Sequence, residues 1–409
     1  MKDIVRDTLN KYHWDKQKIH DFRKVLLDWY DENRRDLPWR QTKNPYFIWV
    51  SEIMLQQTQV QTVIPYYLRF IDTLPTIEAL AKVDKEALYL LWQGLGYYSR
   101  VNNMQTAAQQ IMANFDGQLP ADYDQLLSLK GIGSYTAAAI ASIAFDIPKA
   151  AVDGNLMRIT ARLFELDLDI SQASSKKVFE GLLNTLIDPH RPGDFNQALM
   201  DLGATIMTPS NPTPELSPLK AFDASYQNGT AHLYPVKKKK VKQSHHYFLA
   251  YYVQDDSGRA LMRQHSQQEL LSRLWHFPMI EVSQLNEGLT KDELLQPLYE
   301  WLTTTASNIL EETGHSASNT PAIKDKLEIR PTDNERYLFD QFPMVKHVFS
   351  HRVWHVQIIP VRLHQVALPL ELTDQIKWVT AKDVDQLAVS SLQEKLMQHI
   401  LDYMGEGEG

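Results

Sequence analysis

The stretch Leu129-Lys130-Gly131-Ile132-Gly133-Ser134-Tyr135-Thr136-Ala137-Ala138-Ala139 decides how this chain is organised. Gly131 and Gly133 flank one apolar residue and predict a tight turn that a residue with a Cβ atom enters only at a cost. An alanine-rich helix follows at once, and apolar residues on both sides predict two short helices with a shared buried face. Backbone N–H groups at such a turn can hold an anion. We therefore predict a helix-hairpin-helix that binds a nucleic-acid phosphate, and an ordinary helix–loop–helix corner is the alternative.

Length and composition indicate a globular protein with more than one domain. The 409 residues exceed what one hydrophobic core usually organises. The contents of 44% hydrophobic and 22% charged residues are typical of globular proteins. Apolar runs of membrane-span length and a signal-peptide core are both missing, so we expect a cytoplasmic protein without membrane attachment. The net charge of −8 argues against coating DNA by bulk electrostatics but permits a local binding groove.

Cysteine usage excludes several kinds of chemistry. The chain has no cysteine, so disulfides, thiolate catalysis and cysteine-ligated zinc or iron–sulfur sites are ruled out. The 14 histidines do not form a spacing typical of zinc sites such as His-x-x-Glu-His. We expect no metal site.

The stretch Asn44–Val60 predicts a helix that carries a carboxylate among apolar side chains. Glu52 has Ile48 and Trp49 one turn before it and Leu55 one turn after it. Removal from water would raise the pKa of this carboxyl and keep a proton available near neutral pH. Glu52 is therefore a candidate general acid, and a solvated residue at the border of the helix is the alternative.

Amide, aromatic and basic side chains near this helix suggest contact with DNA. Gln56, Gln57 and Gln59 can both donate and accept hydrogen bonds, which suits base edges. The loop Gly94–Arg100 combines small residues, two tyrosines and a cation, as a wedge in a duplex requires. Arg40 could contact a phosphate. The alternatives are a plain turn with core tyrosines and an ordinary solvated arginine.

A second carboxylate follows the hairpin in the segment Ala151-Val152-Asp153-Gly154-Asn155. Asp153 lies where a helix begins and is predicted to cap it. The helix N-terminus would hold this carboxylate in its ionised form. Capping and a fixed negative charge are compatible roles for one residue.

The character of the sequence changes twice along the chain. Residues 1–225 read as helices and end in a proline-rich stretch, and residues 226–244, with a run of lysines, read as a connector. From residue 245 to residue 409, strand patterns alternate with helices. We predict an all-α domain followed by a separate α+β domain.

Four motifs occur together and in order: Val50-Ser51-Glu52-Ile53-Met54-Leu55-Gln56-Gln57-Thr58, Gly94-Leu95-Gly96-Tyr97-Tyr98, Gly131-Ile132-Gly133 and Val152-Asp153-Gly154-Asn155. Together they resemble the adenine DNA glycosylase family of the helix-hairpin-helix superfamily. The resemblance covers nearly the whole chain. It implies a helical glycosylase domain of two lobes and a C-terminal domain of Nudix-like fold that recognises 8-oxoguanine.

The resemblance implies excision of adenine mispaired with 8-oxoguanine or guanine in double-stranded DNA. Glu52 would protonate N7 of a flipped adenine, and Asp153 would stabilise the oxocarbenium ion by its charge or by a transient covalent bond. Asn155 would hold the carboxylates by hydrogen bonding. Tyr135 stands where relatives with lyase activity carry a lysine, and a phenol forms no Schiff base. We therefore expect a monofunctional enzyme. We also expect it to act as a monomer.

The resemblance also implies DNA contacts in both domains. Whether the hairpin loop also binds a cation is left open. The contacts are Gln57 and Tyr97 to open the base stack, Thr58 and Leu95 beside them, Lys130, Gly131 and Gly133 for a phosphate, and Phe349, Ser350 and His351 for 8-oxoguanine.

Two departures from the family pattern change what we expect. The four cysteine positions of the family's [4Fe–4S] cluster are occupied by Met207, Pro214, Ser217 and Asp223, so we expect no cluster and no other cofactor. The segment Ala306–Gly314 resembles a Nudix hydrolase box without its arginine and part of its acidic residues. Without those carboxylates Mg²⁺ would not be held, so we expect recognition without hydrolysis.

Three other functions remain as alternatives. The chain could be a bifunctional lyase of the endonuclease III type, which trapping of an abasic-site adduct with borohydride would reveal. It could be a nucleotide-pool hydrolase, against which the incomplete box speaks. A mismatch-binding protein without catalysis is the third, and base release by a Glu52→Gln variant separates it from a glycosylase.

Overall fold

The computed structural model describes residues 2–238, 243–266, 269–285, 289–312, 326–329, 342–349, 351–364 and 375–406. The chain divides into two compact units. The first comprises Met1–Val83 and Ser99–Lys240, and the second comprises Asp84–Tyr98 and Val241–Gly409. Among the described residues, no helix combines the length and apolar character that crossing a lipid bilayer demands.

The first unit is helical, as predicted. Between or after its described helices lie short 3₁₀ turns at Pro38–Arg40, Pro214–Leu216 and Ala231–Leu233. Those helices are α1 (Lys2–Lys11), α2 (Lys16–Asn33), α3 (Pro45–Met54), α4 (Val60–Thr73), α5 (Ile77–Lys82), α7 (Ser99–Asn114), α8 (Tyr123–Ser128), α9 (Ser134–Phe145), α10 (Gly154–Leu163), α11 (Ala173–Leu186), α12 (Pro192–Thr205) and α13 (Ala224–Gln227).

The packing of α9 explains its alanine-rich sequence. Small side chains let neighbouring helices approach closely, and α9 contacts α3, α8 and α12. At Gly193 of α12 an added Cβ would come within 2.8 Å of the Ile143 backbone, so only glycine allows this approach. A separate core joins α2, α10, α11 and α12 through Phe22, Leu26, Phe179, Phe195 and other fully buried side chains.

The predicted hairpin lies between α8 and α9. Gly131 adopts a φ of +76°, in the left-handed region that favours glycine. A Cβ at this position would stand 2.6 Å from the Cβ of Asn103 in α7. Ile132, between the two glycines, is buried with 4% of its surface exposed. The turn therefore places its glycine backbone outward and its apolar residue in the core.

The second unit combines one mixed sheet with helices on both faces. Its described helices are α6 (Lys85–Trp92), α14 (Lys291–Glu312), α15 (Ala381–Val384) and α16 (Ser391–Glu406). Its described strands are β1 (Ser244–Gln254), β2 (Ala260–Gln264), β3 (Trp275–His276), β4 (Met279–Val282), β5 (Leu327–Ile329), β6 (Met344–Val348), β7 (Arg352–Leu363) and β8 (Ile376–Val379).

The sheet follows the order β3-β2-β1-β7-β5, with β4, β6 and β8 paired to β1, β7 and β2. Only β1 and β7 run parallel among these described pairs. Alternate residues of β1 point to opposite faces. Leu249, Tyr251 and Val253 join a core with α14, whereas Phe248 and Ala250 join a core with α16. The second unit thus has the predicted α+β fold, and it also includes Asp84–Tyr98, a segment that the sequence predicted to lie in the helical domain.

Candidate active site

The buried carboxyl group of Glu52 lies on α3. Asn44 caps this helix by accepting a hydrogen bond from the N–H of Tyr46, and Pro45 occupies its first turn. The Glu52 side chain faces the protein interior, and the residue is 5% exposed. The hydroxyl of Tyr135 on α9 donates to its Oε2 atom at 2.7 Å. The helix packing therefore brings together an acid and a phenol separated by 83 residues.

Burial raises the pKa of Glu52 to about 7, from an ordinary value of 4.5. The hydrogen bond from Tyr135 and the charge of Arg40 oppose this rise, and the negative charge of Asp153 adds to it. Burial also raises the pKa of Tyr135 well above 10, so the phenol keeps its proton at neutral pH. Glu52 can thus carry a proton near pH 7 and also release it, as a general acid requires.

Asp153 caps α10, as the sequence predicted. Its Oδ1 atom accepts a hydrogen bond from the N–H of Leu156 at 2.8 Å, and its Oδ2 atom accepts one from Nδ2 of Asn155 at 2.8 Å. Burial raises the pKa of Asp153, while these hydrogen bonds and the charge of Arg158 oppose the rise. Hydrogen bonds donated to a carboxylate stabilise its charged form and so favour ionisation against the effect of burial.

Arg158 fixes the orientation of the Asn155 amide. Its guanidinium donates to Oδ1 of Asn155 at 2.7 Å and to the carbonyls of Gly203 and Met207 at 2.8 and 2.7 Å. Since a guanidinium has only donors, it must face the amide oxygen, which turns the NH₂ group toward Asp153. This chain of contacts orients the carboxylate of Asp153.

One cavity of about 330 Å³ brings these side chains together. Its volume lies in the range of about 300–1,000 Å³ that is usual for small-molecule sites. Glu52, Tyr135, Asp153, Asn155, Arg40 and Thr58 from the predicted site line it, together with other residues that include Ile48, Leu55, Gln59 and Met200.

An ion cluster that the sequence did not indicate contributes Arg35 and Arg40 to the cavity wall. Asp201 on α12 is 1% exposed, and its carboxylate accepts hydrogen bonds from Arg35 at 2.6 Å and from Nη2 of Arg40 at 2.7 Å. Burial lowers the pKa of Arg40, but the bonds and charge of Asp201 outweigh it and leave that pKa raised. The sequence offered one sign that Asp201 is buried, since it lies between Leu199 and Leu202 on a helix. Apolar neighbours on a helix are also the pattern that made Glu52 a candidate.

This cluster changes the interpretation of Arg40. The sequence predicted a contact with a DNA phosphate, yet the Arg40 side chain is only 10% exposed and is held by Asp201. Its positive charge instead acts on Glu52 across the cavity. A contact of Arg40 with DNA stays a prediction.

Arg100 also lies in the protein interior, at the C-terminal end of α3. The residue is 9% exposed, and its guanidinium donates to the carbonyls of Ile53 and Met54 at 2.9 and 3.1 Å and to that of Gln56. These are carbonyl groups that a helix end leaves without intrahelical partners. Arg100 therefore fixes the turn after α3 rather than serving as the cation of an exposed wedge.

The other predicted DNA contacts of the first unit lie on its surface. Gln57 is exposed and has a φ of +61°, in the left-handed region, between α3 and α4. Lys130, Gly131 and Gly133 are exposed at the hairpin, where the N–H of Lys130 donates to Gln110 at 2.8 Å. Their contacts with DNA stay predictions.

In the second unit the predicted contacts differ in exposure. Tyr97 is 50% exposed, whereas Leu95 is 5% exposed, so the Leu95 side chain packs inward. Phe349 packs against Trp354 with ring centroids 4.8 Å apart, and His351 is exposed. Ser350 lies outside the described residues, as do Thr313 and Gly314 of the predicted hydrolase box.

The positions of the family's cluster ligands hold side chains that serve the local fold. Met207 is 1% exposed in a hydrophobic core, and Pro214 begins a 3₁₀ turn. Ser217 accepts from the N–H of Leu219, and Asp223 caps α13. No thiolate is available here, so these residues do not fit an iron–sulfur cluster. Its absence stays a prediction.

Two family models match consecutive parts of this chain. Residues 50–185 match the model of the HhH-GPD superfamily of base excision DNA repair proteins, and residues 249–399 match that of the NUDIX domain. A solved thermostable thymine-DNA glycosylase is 29% identical with a TM-score of 0.48, over 52% of this chain and 98% of that chain. The class defined by fold and site is a helix-hairpin-helix base excision repair protein with a Nudix domain.

The relatives define the family within this class. The human adenine DNA glycosylase is 30% identical over 99% of this chain and 78% of its own length. The Arabidopsis thaliana adenine DNA glycosylase is 38% identical over 67% of this chain and 49% of its own length. The chain thus spans about half the length of the plant relative. The chain belongs to the adenine DNA glycosylase family, and the resemblance predicted from its motifs is confirmed.

Proposed function

We propose that this chain is a monofunctional DNA glycosylase that removes adenine mispaired with 8-oxoguanine or guanine. The observation that carries the proposal is a pair of carboxyl groups on the wall of one cavity, the buried Glu52 and the partly buried Asp153. Burial raises the pKa of both, but only Asp153 accepts two hydrogen bonds that favour its charged form. Two acids in different environments can take opposite protonation states at one pH.

Glu52 acts as the general acid. Adenine reaches the cavity only after leaving the base stack, and unstacking costs a few kcal/mol. Proton transfer from Glu52 to N7 makes adenine a neutral leaving group when the bond to C1′ breaks. The ionised Glu52 then accepts a proton from the water that attacks C1′, so the carboxyl group returns to its starting form.

Asp153 stabilises the positive charge that develops on the sugar. An anion held by the helix N-terminus and by Asn155 is fixed before the reaction and needs little reorganisation. Contact with C1′ also permits a transient covalent bond, as in retaining glycosidases. In either case water attacks C1′ of the deoxyribose and completes the hydrolysis.

Tyr135 orients Glu52 and supplies no amine. Its hydroxyl bonds to the Glu52 carboxyl at 2.7 Å. Strand cleavage by a lyase requires an amine that condenses with the sugar aldehyde, and a phenol cannot do this. The chain therefore releases the base and leaves the strand intact.

The partner is double-stranded DNA that contains adenine opposite 8-oxoguanine, bound by a monomer. The hairpin amides would hold a phosphate, Gln57 and Tyr97 would open the stack, and Phe349 and His351 would approach 8-oxoguanine. We further propose that the chain works without an iron–sulfur cluster, since the donor set at the corresponding positions lacks thiolates. A catalytic role of the Nudix domain is not part of this proposal.

Adenine release measured under single-turnover conditions tests the proposal. Duplexes with 8-oxoguanine, guanine or thymine opposite adenine are incubated with the wild-type chain, Glu52→Gln and Asp153→Asn. We expect release opposite 8-oxoguanine and guanine, losses of about 10²–10⁴-fold in Glu52→Gln, and no borohydride-trapped adduct on abasic DNA. Unchanged release in Glu52→Gln, or abundant trapped adduct, would contradict the assignment.

A further inference from the structure

The loop Gly94–Tyr97 between α6 and α7 has an unusual backbone. Gly94, Gly96 and Tyr97 have φ values of +93°, +68° and +49°. Glycine adopts this left-handed region readily, but tyrosine does so only when its surroundings hold it there. The same loop exposes half of the Tyr97 side chain while Leu95 is buried. Its conformation must therefore be held by contacts on both sides.

Residues at both ends of the loop bind the same residue of the C-terminal domain. The amide of Gln93 accepts from the N–H of Val389 at 3.4 Å and donates to Oε1 of Glu394 at 3.0 Å. The hydroxyl of Tyr98 donates to the carbonyl of Val389 at 3.1 Å. Across the loop itself, the indole of Trp92 donates to the carbonyl of Gly96 at 3.0 Å. Both backbone groups of Val389 are thus used to hold the loop.

Val389 lies in the buried core of the second unit. It is 2% exposed in the core shared with α16, beside Leu392 and Leu396. The segment that carries it pairs with β3, where the N–H of Trp275 donates to the carbonyl of Ala388 at 2.9 Å. Close packing in this core fixes the position of Val389, to which the loop is bonded.

We propose that Gln93 and Tyr98 are positioning residues through which the Nudix-like domain holds the Gly94–Tyr97 loop in the shape that exposes Tyr97. The inference rests on the proposed function, in which Tyr97 enters the base stack. The Nudix-like domain thereby contributes to opening the mispair on the adenine-removal path.

Removal of single bonds tests the proposal in the full chain. Tyr98→Phe deletes one hydroxyl, and Gln93→Glu sets two carboxylates against each other at Glu394. Gln93→Glu combined with Glu394→Gln restores a donor–acceptor pair with its direction reversed. Tyr251→Phe is the matched control, because it deletes a hydroxyl that donates to the carbonyl of Leu294 within the same unit.

Stack opening is read from 2-aminopurine placed 3′ to 8-oxoguanine in a duplex with adenine opposite the lesion. All proteins in this arm carry Glu52→Gln, so adenine release is slow and the fluorescence reports opening of the stack. We expect Tyr98→Phe and Gln93→Glu to lower the equilibrium for opening by about 2- to 10-fold, the equivalent of one hydrogen bond. The reversed pair and Tyr251→Phe should open the stack as the parent does.

Adenine release by the same variants with Glu52 intact gives a second measurement. Release should fall by the same factor as opening, while the pH dependence of the rate stays unchanged because the surroundings of Glu52 are unaltered. Normal stack opening in both Tyr98→Phe and Gln93→Glu would overturn the loop proposal even if the wild-type chain releases adenine. No adenine release by the wild-type chain would instead overturn the proposed function, and the fluorescence measurement would still test the loop proposal.

Discussion

Replacement of Glu52 by glutamine should make the protein more stable and nearly inactive. Glutamine keeps the shape of the side chain and can still accept the hydrogen bond from Tyr135. It removes a carboxyl group whose pKa burial raises from 4.5 to about 7. At about 1.36 kcal/mol for each pKa unit, this rise corresponds to about 3 kcal/mol of folding free energy.

The sign and pH range of this effect follow from the two pKa values. Below pH 4.5 Glu52 is neutral in both the folded and the unfolded chain, so its ionisation costs nothing. Between pH 4.5 and pH 7 the unfolded chain loses the proton first, and the folded state loses stability as the pH rises. Above pH 7 the full cost of about 3 kcal/mol is present, and the glutamine variant is free of it.

Urea unfolding followed by circular dichroism at pH 4.5 and pH 8.5 measures this difference for the first unit. We expect the stability gain of Glu52→Gln to be about 3 kcal/mol larger at pH 8.5 than at pH 4.5. Glu32→Gln makes the same chemical change on the exposed face of α2 and serves as the control. The burial argument would be refuted if Glu52→Gln and wild type differed in unfolding free energy by the same amount at both pH values. It would also be refuted if the variant were less stable than wild type at pH 8.5.

Three further results are expected. The rate of adenine release should rise as Asp153 ionises and fall through about pH 7 as Glu52 loses its proton, which a single-turnover pH profile checks. Gly131→Ala should destabilise the first unit by about 1–3 kcal/mol and weaken binding to duplex DNA, whereas Gly133→Ala, where a Cβ meets no atom within 4 Å, should change stability little in urea titrations. Burial lowers the pKa of His276 well below 6.5. As the pH falls below 6.5, His276 therefore binds a proton in the unfolded chain but stays neutral in the folded chain. The second unit should lose stability as the pH falls below about 6.5, and His276→Gln should lose less in urea titrations between pH 7.5 and pH 5.5.

Much of the fold could be predicted because its causes are local. Helix caps, the Gly131 turn and the alternation along β1 are set by residues a few positions apart, where backbone sterics and hydrogen bonds act. The capping role of Asp153 belongs to this group, since the group that it caps is three residues away. The candidate acid Glu52 could be recognised because its apolar neighbours lie one helical turn away in the sequence.

Tertiary structure decided what each charged or aromatic side chain does. The sequence could not show that Arg35 and Arg40 meet Asp201 more than 160 residues later, or that Arg100 turns inward to the end of α3. Nor did it show that Leu95 is buried beside an exposed Tyr97. The physical reason is that the state of a charge depends on burial and on its partners, and both exist only after distant helices have packed. The sequence determined the two acids, and the fold determined the cavity that gives them different environments.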